Sequence, residues 1–116
     1  MTDLSAIKCQ ACRPDAPKAT DEEIKNYMLL IPQWTLIIDA GVKKIVRQVK
    51  TENFVQTMKL VNAIADLAEE EGHHPMMLVE YSALKVWWWS HEIKGLHQND
   101  FVMAAKTDKI FKELPE

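Results

Sequence analysis

From residue 20 onward, the spacing of apolar side chains alternates between the helical and the extended period. Thr20-Asp21-Glu22-Glu23 has the layout in which a hydroxyl and a carboxylate cap each other's backbone N–H groups, and its acids suit the positive end of a helix. Ile24, Tyr27, Met28 and Ile31 follow at three- and four-residue steps until Pro32, which cannot continue the ladder. Trp34 to Ile38 then alternates as a strand, with Trp34, Leu36 and Ile38 on one face. Asp39-Ala40-Gly41 supplies a turn, and Val42 to Val49 returns with Ile45, Arg47 and Val49 on one side.

The period becomes helical again from Glu52 or Asn53 to Glu70. Phe54, Met58, Val61, Ala65 and Ala68 form the predicted buried stripe, widened by Leu60, Ile64 and Leu67, while Gln56, Lys59, Ala63, Asp66 and Glu70 form the row expected to face water. Glu69 falls outside that polar row, at the edge of the buried face. Gly72 ends the helix and Pro75 fixes the exit. Met77 to Tyr81 and Leu84 to His91 read as strands joined around Ser82-Ala83. Parity assigns Leu84, Val86, Trp88 and Ser90 to the core side, and Lys85, Trp87, Trp89 and His91 to the other. After Gly95, Asn99 is the expected cap of a last helix with Asp100 in its first turn; Phe101, Ala104, Ala105, Asp108 and Phe111 carry it to about Leu114.

The predicted order is helix-strand-strand-helix-strand-strand-helix. It implies an α+β fold with a four-stranded antiparallel sheet and three helices packed on one face. Residues 1–19, broken by Pro14 and Pro17, read as an irregular N-terminal arm, and 20–116 as one domain. The 47% hydrophobic and 27% charged composition is that of a soluble globular chain. A net charge of -3 gives no electrostatic reason to expect nucleic acid. No apolar run approaches the roughly 20 residues that span a bilayer, so no membrane is expected. The N-terminus lacks a basic-then-apolar leader, and a cytoplasmic location is the expectation. Cys9 and Cys12 form a Cys-x-x-Cys pair, but no second ligand pair and no following helix support a zinc or redox reading over two reduced thiols.

All four histidines lie between Glu69 and Phe101. Imidazole titrates nearest neutrality, so this stretch is where proton transfer is first sought. His73, His74, His91 and Asp100 could be read as a zinc site with an open position, although adjacent histidines in a turn rarely converge on one ion. Without a metal, the same residues supply proton donors and acceptors around a flat, nitrogen-rich substrate near tryptophan, with Glu69 and Asp100 tuning the imidazoles.

Glu69 followed by His73-His74-Pro75, then Ser90-His91, Gly95-Leu96 and Asp100, resembles in order and spacing the pattern of pterin-4a-carbinolamine dehydratases. The segment from Ile93 to Phe101 followed by Met103-Ala104-Ala105 is similar to bacterial members. The resemblance implies removal of water from a 4a-hydroxytetrahydropterin to give quinonoid dihydropterin, with no metal and no cofactor. It implies His73 and His91 as the acid/base pair and His74 as a pterin-binding helper. Glu69 and Asp100 would be orienting carboxylates, with Pro75 and Trp89 beside the substrate. The implied partners are the pterin, functionally an aromatic amino-acid hydroxylase, and further copies of the chain in a homodimer or homotetramer. Trp87 and Trp89 stand where animal members have small polar residues, and two exposed indoles would alter any association through the sheet. The rival classes are a non-catalytic, coactivator-type dimerising partner and a His-ligated metal hydrolase.

Overall fold

In a computed structural model, which describes Leu4 and residues 17–113, helix α1 (Asp21–Leu30) starts on the expected cap. Thr20 Oγ1 accepts from the Glu23 N–H at 3.1 Å and Glu23 Oε1 accepts from the Thr20 N–H at 2.8 Å. Strands β1 (Thr35–Asp39) and β2 (Val42–Lys50) form a hairpin around Ala40 and Gly41, both at positive φ. Helix α2 (Phe54–Glu71) begins at Asn53, whose Oδ1 accepts from the Gln56 N–H. Strands β3 (Met76–Glu80) and β4 (Ala83–Trp88) and helix α3 (Gln98–Glu113) complete the chain. The sheet is antiparallel throughout, in the order β1-β2-β4-β3.

Ile45 lies opposite Trp88 and Arg47 opposite Val86, so these residues share the face that α2 and α3 cover. Leu84, Val86 and Trp88 are fully buried there against Leu60, Ile64 and Ala68 of α2 and Phe101 to Ala104 of α3. Each such large side chain contributes about 1.5–3 kcal/mol by leaving water. Helix α1 joins the same layer: Ile24 is buried, Tyr27 stacks on Phe101 at 4.7 Å, and Asp21 pairs with Lys43 on the helix-facing side of β2. Asp108 ties the far half of α3 to the sheet by accepting from Trp34 Nε1 and pairing with Arg47, which also lies over the Phe111 ring.

Several expectations are corrected. The buried row of α2 is Thr57, Leu60, Ile64 and Ala68, whereas Phe54 and Ala65 of the predicted stripe are exposed and Ala63 of the polar row is half-buried. Thr57 enters the core because its hydroxyl reaches the carbonyls of Asn53 and Tyr81, which turns the helix by about one position. Leu36 and Ile38 do face the helix side, yet they stay exposed because β1 is an edge strand beyond the reach of the helices. Strand β4 stops at Trp88, three residues short of His91; Ser90 forms only an isolated bridge to Gly95. Asn99 is not the cap of α3. His97 is: its Nδ1 accepts from the Asn99 N–H at 3.1 Å, and Asp100 Oδ2 reaches back to the His97 N–H at 2.9 Å. Trp87 and Trp89 are half-buried rather than exposed, each with a lysine ammonium over its ring. Cys9, Cys12 and most of the 1–19 arm lie outside the described residues, although Leu4 is buried in the core and Ala19 N–H bonds the Leu96 carbonyl.

Candidate active site

Gly72 adopts the left-handed conformation (φ 66°), which ends α2 and lets the His73 N–H bond the Ala68 carbonyl at 3.1 Å. This turn sends the two adjacent imidazoles to different surroundings. His73 goes inward, 6% exposed, with its ring stacked nearly parallel on Trp88 at 5.6 Å. His74 stays in solvent, where its Nε2 lies 2.5 Å from Glu69 Oε2. Glu69 therefore stands behind His74, not behind His73 as the helix phase alone suggests. Pro75 is half-buried and directs the chain from the turn into β3.

The carboxylate behind His73 is that of Asp100, fully buried and 2.6 Å from His73 Nε2. Its other oxygen accepts from Ser90 Oγ at 2.8 Å and from the His97 N–H. With Oδ2 already accepting from two donors, Oδ1 is the acceptor that faces His73 Nε2, so this bond selects the tautomer with the proton on Nε2. In that tautomer the lone pair of the ring is on Nδ1. Asp100 also sits in the first turn of α3, so one side chain anchors an imidazole, a hydroxyl and a helix start.

His91 follows Ser90 and is exposed. Its ring meets Trp89 at 4.3 Å between centroids, on the outer side of the sheet. Asp100 thus joins His73 to Ser90, while the ring of the following His91 turns to Trp89 and His74 and Glu69 form a separate, solvent-facing pair. Among the described residues no three His, Cys, Asp or Glu side chains converge to hold a metal ion. One open hollow among the described residues, of about 660 Å³, lies near Arg47 to Glu52 and Phe111, and one of about 350 Å³ includes Glu23, Tyr27 and His97.

Burial lowers the pKa of His97 below the ordinary imidazole value of 6.5, helped by His73 and opposed by Asp100 and Glu23. Below pH 6.5 the unfolded chain therefore binds a proton that the folded chain refuses, so His97 costs stability as pH falls through that window and nothing above it. Denaturant titrations at pH 7, 6 and 5 should show a smaller acid loss for His97→Asn than for the natural chain, since Asn keeps an acceptor for the Asn99 N–H without a titrating ring.

The family described as pterin 4 alpha carbinolamine dehydratase matches residues 17–110 of this sequence. The chain belongs to that family. A protein of Nitrosococcus oceani named "Putative pterin-4-alpha-carbinolamine dehydratase" is 47% identical over 112 residues, covering 97% of this chain and 99% of that one. A protein of the same name from Saccharophagus degradans has the same identity and coverage. The fold is similar to that of a crystal structure titled "transcriptional coactivator/pterin dehydratase" from Brucella melitensis, with a TM-score of 0.74 at 24% identity, covering 81% of this chain and 98% of that one. The element order and sheet are those expected from the sequence for this family. No described helix is long and apolar enough to cross a membrane.

The sequence names Asp100 as a carboxylate tuning the imidazoles and sets Ser90 on the core side, but the Ser90–Asp100 bond and the part of His97 as the cap beside Asp100 are missed. A cue exists: Asp100 stands three residues after His97, the spacing from which a helix side chain reaches back to the cap N–H.

Proposed function

We propose that this chain dehydrates a 4a-hydroxytetrahydropterin by metal-free general acid/base catalysis, giving the quinonoid dihydropterin. The observation that carries the reading is the buried Asp100–His73 pair, which leaves Nδ1 of the imidazole as the available base. Two bonds must break in the reaction: C4a–O, with hydroxide leaving as water, and the adjacent ring N–H, whose electrons form the new C=N bond. In this reading His73 takes the ring proton, and exposed His91 protonates the departing hydroxyl and is recharged from solvent. His74, braced by Glu69, binds the pterin and assists proton transfer. Each positioned transfer is worth about 100- to 10,000-fold. The product would serve recycling of the pterin cofactor of an aromatic amino-acid hydroxylase, in the cytoplasm, with the chain as a homodimer or homotetramer.

The test is to generate the 4a-carbinolamine in situ and follow formation of the quinonoid product by absorbance. Purified protein should shorten its lifetime in proportion to protein concentration, with full activity retained after exhaustive chelation. Identical decay with and without the protein would overturn the dehydratase reading. Activity lost to a chelator and restored by zinc would favour the hydrolase class instead.

A further inference from the structure

The outer face of the sheet carries a row of contacts that ends on His91. Ile45 and Trp88 are the last pair of the β2–β4 register, and just past it Lys44 reaches over Trp89. Lys44 Nζ lies 4.0 Å from the centre of the Trp89 ring and 2.9 Å from Asp39 Oδ2. Its side chain is only 11% exposed, on the sheet face opposite the one that α2 and α3 cover, whereas that of Asp39 is 60% exposed. The ammonium is thus enclosed between a carboxylate and an indole. The same indole meets the His91 ring at 4.3 Å and 38°. His91 lies past the end of β4, is exposed, and belongs to none of the structure's ion pairs among the described residues. Among the described residues that indole is its one ring contact.

We infer that Asp39, Lys44 and Trp89 are positioning residues that hold His91 in the orientation used for proton transfer, and that Trp89 acts by fixing this imidazole rather than by stacking on the pterin. The inference rests on the dehydratase reading for its consequence in catalysis, but not for its structural half. An exposed histidine on a strand end samples its rotamers freely unless something selects one. The Lys44 cation draws the indole face into a fixed place, and the indole selects the His91 rotamer against it. Asp39 keeps the ammonium from turning to water.

The experiment pairs NMR with kinetics on the full chain. In the natural protein the His91 ring protons should resonate upfield of free-histidine positions, shifted by the Trp89 ring current. Lys44→Met keeps the stem but removes the charge, and it should move those resonances part of the way back. Trp89→Leu should move them fully, and Lys44→Arg should restore the natural position. In the dehydration assay Lys44→Met should lower kcat by about two- to five-fold with little change in KM, the scale of a single lost cation–π contact. Trp89→Leu should lower kcat by up to about 100-fold, the cost of a misplaced catalytic group. Resonances of His91 that ignore both substitutions would overturn the inference whatever the activity. Shifted resonances with unchanged kcat would overturn its catalytic half while leaving the dehydratase reading intact, and a rise in KM alone would return Trp89 to the substrate. A natural chain without dehydratase activity would end that reading and the catalytic half together, and the His91 resonances would still decide the structural half.

Discussion

Replacing Asp100 by Asn should reduce the dehydration rate by about 100- to 10,000-fold while leaving the fold in place. The reason lies in the sorting of donors around the carboxylate. One oxygen accepts from both Ser90 and the His97 N–H, so the amide oxygen of Asn is drawn to that side. The amide NH₂ then faces His73 Nε2, where only an acceptor can be accommodated. His73 must move its proton to Nδ1, and the lone pair that should receive the ring proton now points into the protein. His73→Ala removes the base outright and should cost a similar factor, but the double variant should be little worse than either single one, because the two residues act as a unit. Asp100→Ala is a different experiment: one buried and two part-buried donors lose their acceptor, and a loss of about 3–5 kcal/mol of stability is expected. Circular dichroism and denaturant titration separate the cases. A fully active Asp100→Asn protein would show that the tautomer of His73 is irrelevant to turnover.

Trp88→Ala should cost about 3–5 kcal/mol, a large part of the 5–15 kcal/mol that a domain of this kind possesses. The indole is fully buried at the crossing of β4 and α3, and its Nε1 donates to Thr107 Oγ1 at 3.1 Å. Thr107 passes that bond on to the Met103 carbonyl, so the helix keeps its internal bond when the indole goes. The loss is therefore mainly cavity and packing. It should also free His73, whose other face rests on this ring. Trp88→Phe keeps a ring under the imidazole and should cost distinctly less. Equilibrium unfolding in urea measures both, with a fall in midpoint at constant slope as the expected form. A loss below 1 kcal/mol for Trp88→Ala would mean that the sheet and α3 close over the gap.

The sequence makes legible whatever is decided locally. The Thr20–Glu23 cap, the Asn53 start, the Gly72 stop and the parity of β4 all depend on residues within a few positions of one another. Errors begin where a distant partner decides. Thr57 is buried because the Tyr81 carbonyl, 24 residues away, receives its hydroxyl, and no hydropathy scale carries that information. The partner of Glu69 is settled by the left-handed turn at Gly72, which reverses the order in which the two imidazoles meet the helix end. Asp108 was visible in the apolar row of the last helix, an odd place for an acid, but its bonds to Trp34 and Arg47 could not be named from spacing. Asp100 looked like a helix-start acid and a partner of histidine, and it is placed to be both.

That double use bears on how a family of such chains can drift. A lineage that no longer needs turnover can shed His74, Glu69 or His91 at little cost to folding, since all three lie in solvent. It cannot shed Asp100 so cheaply, because the start of α3 and the seat of Ser90 depend on it. A silent descendant should therefore keep the buried half of its old site as scaffolding long after the exposed half has scattered. On the proposed dehydratase reading, the presence of Asp100 alone records ancestry and foldability, and the exposed imidazoles record continued use.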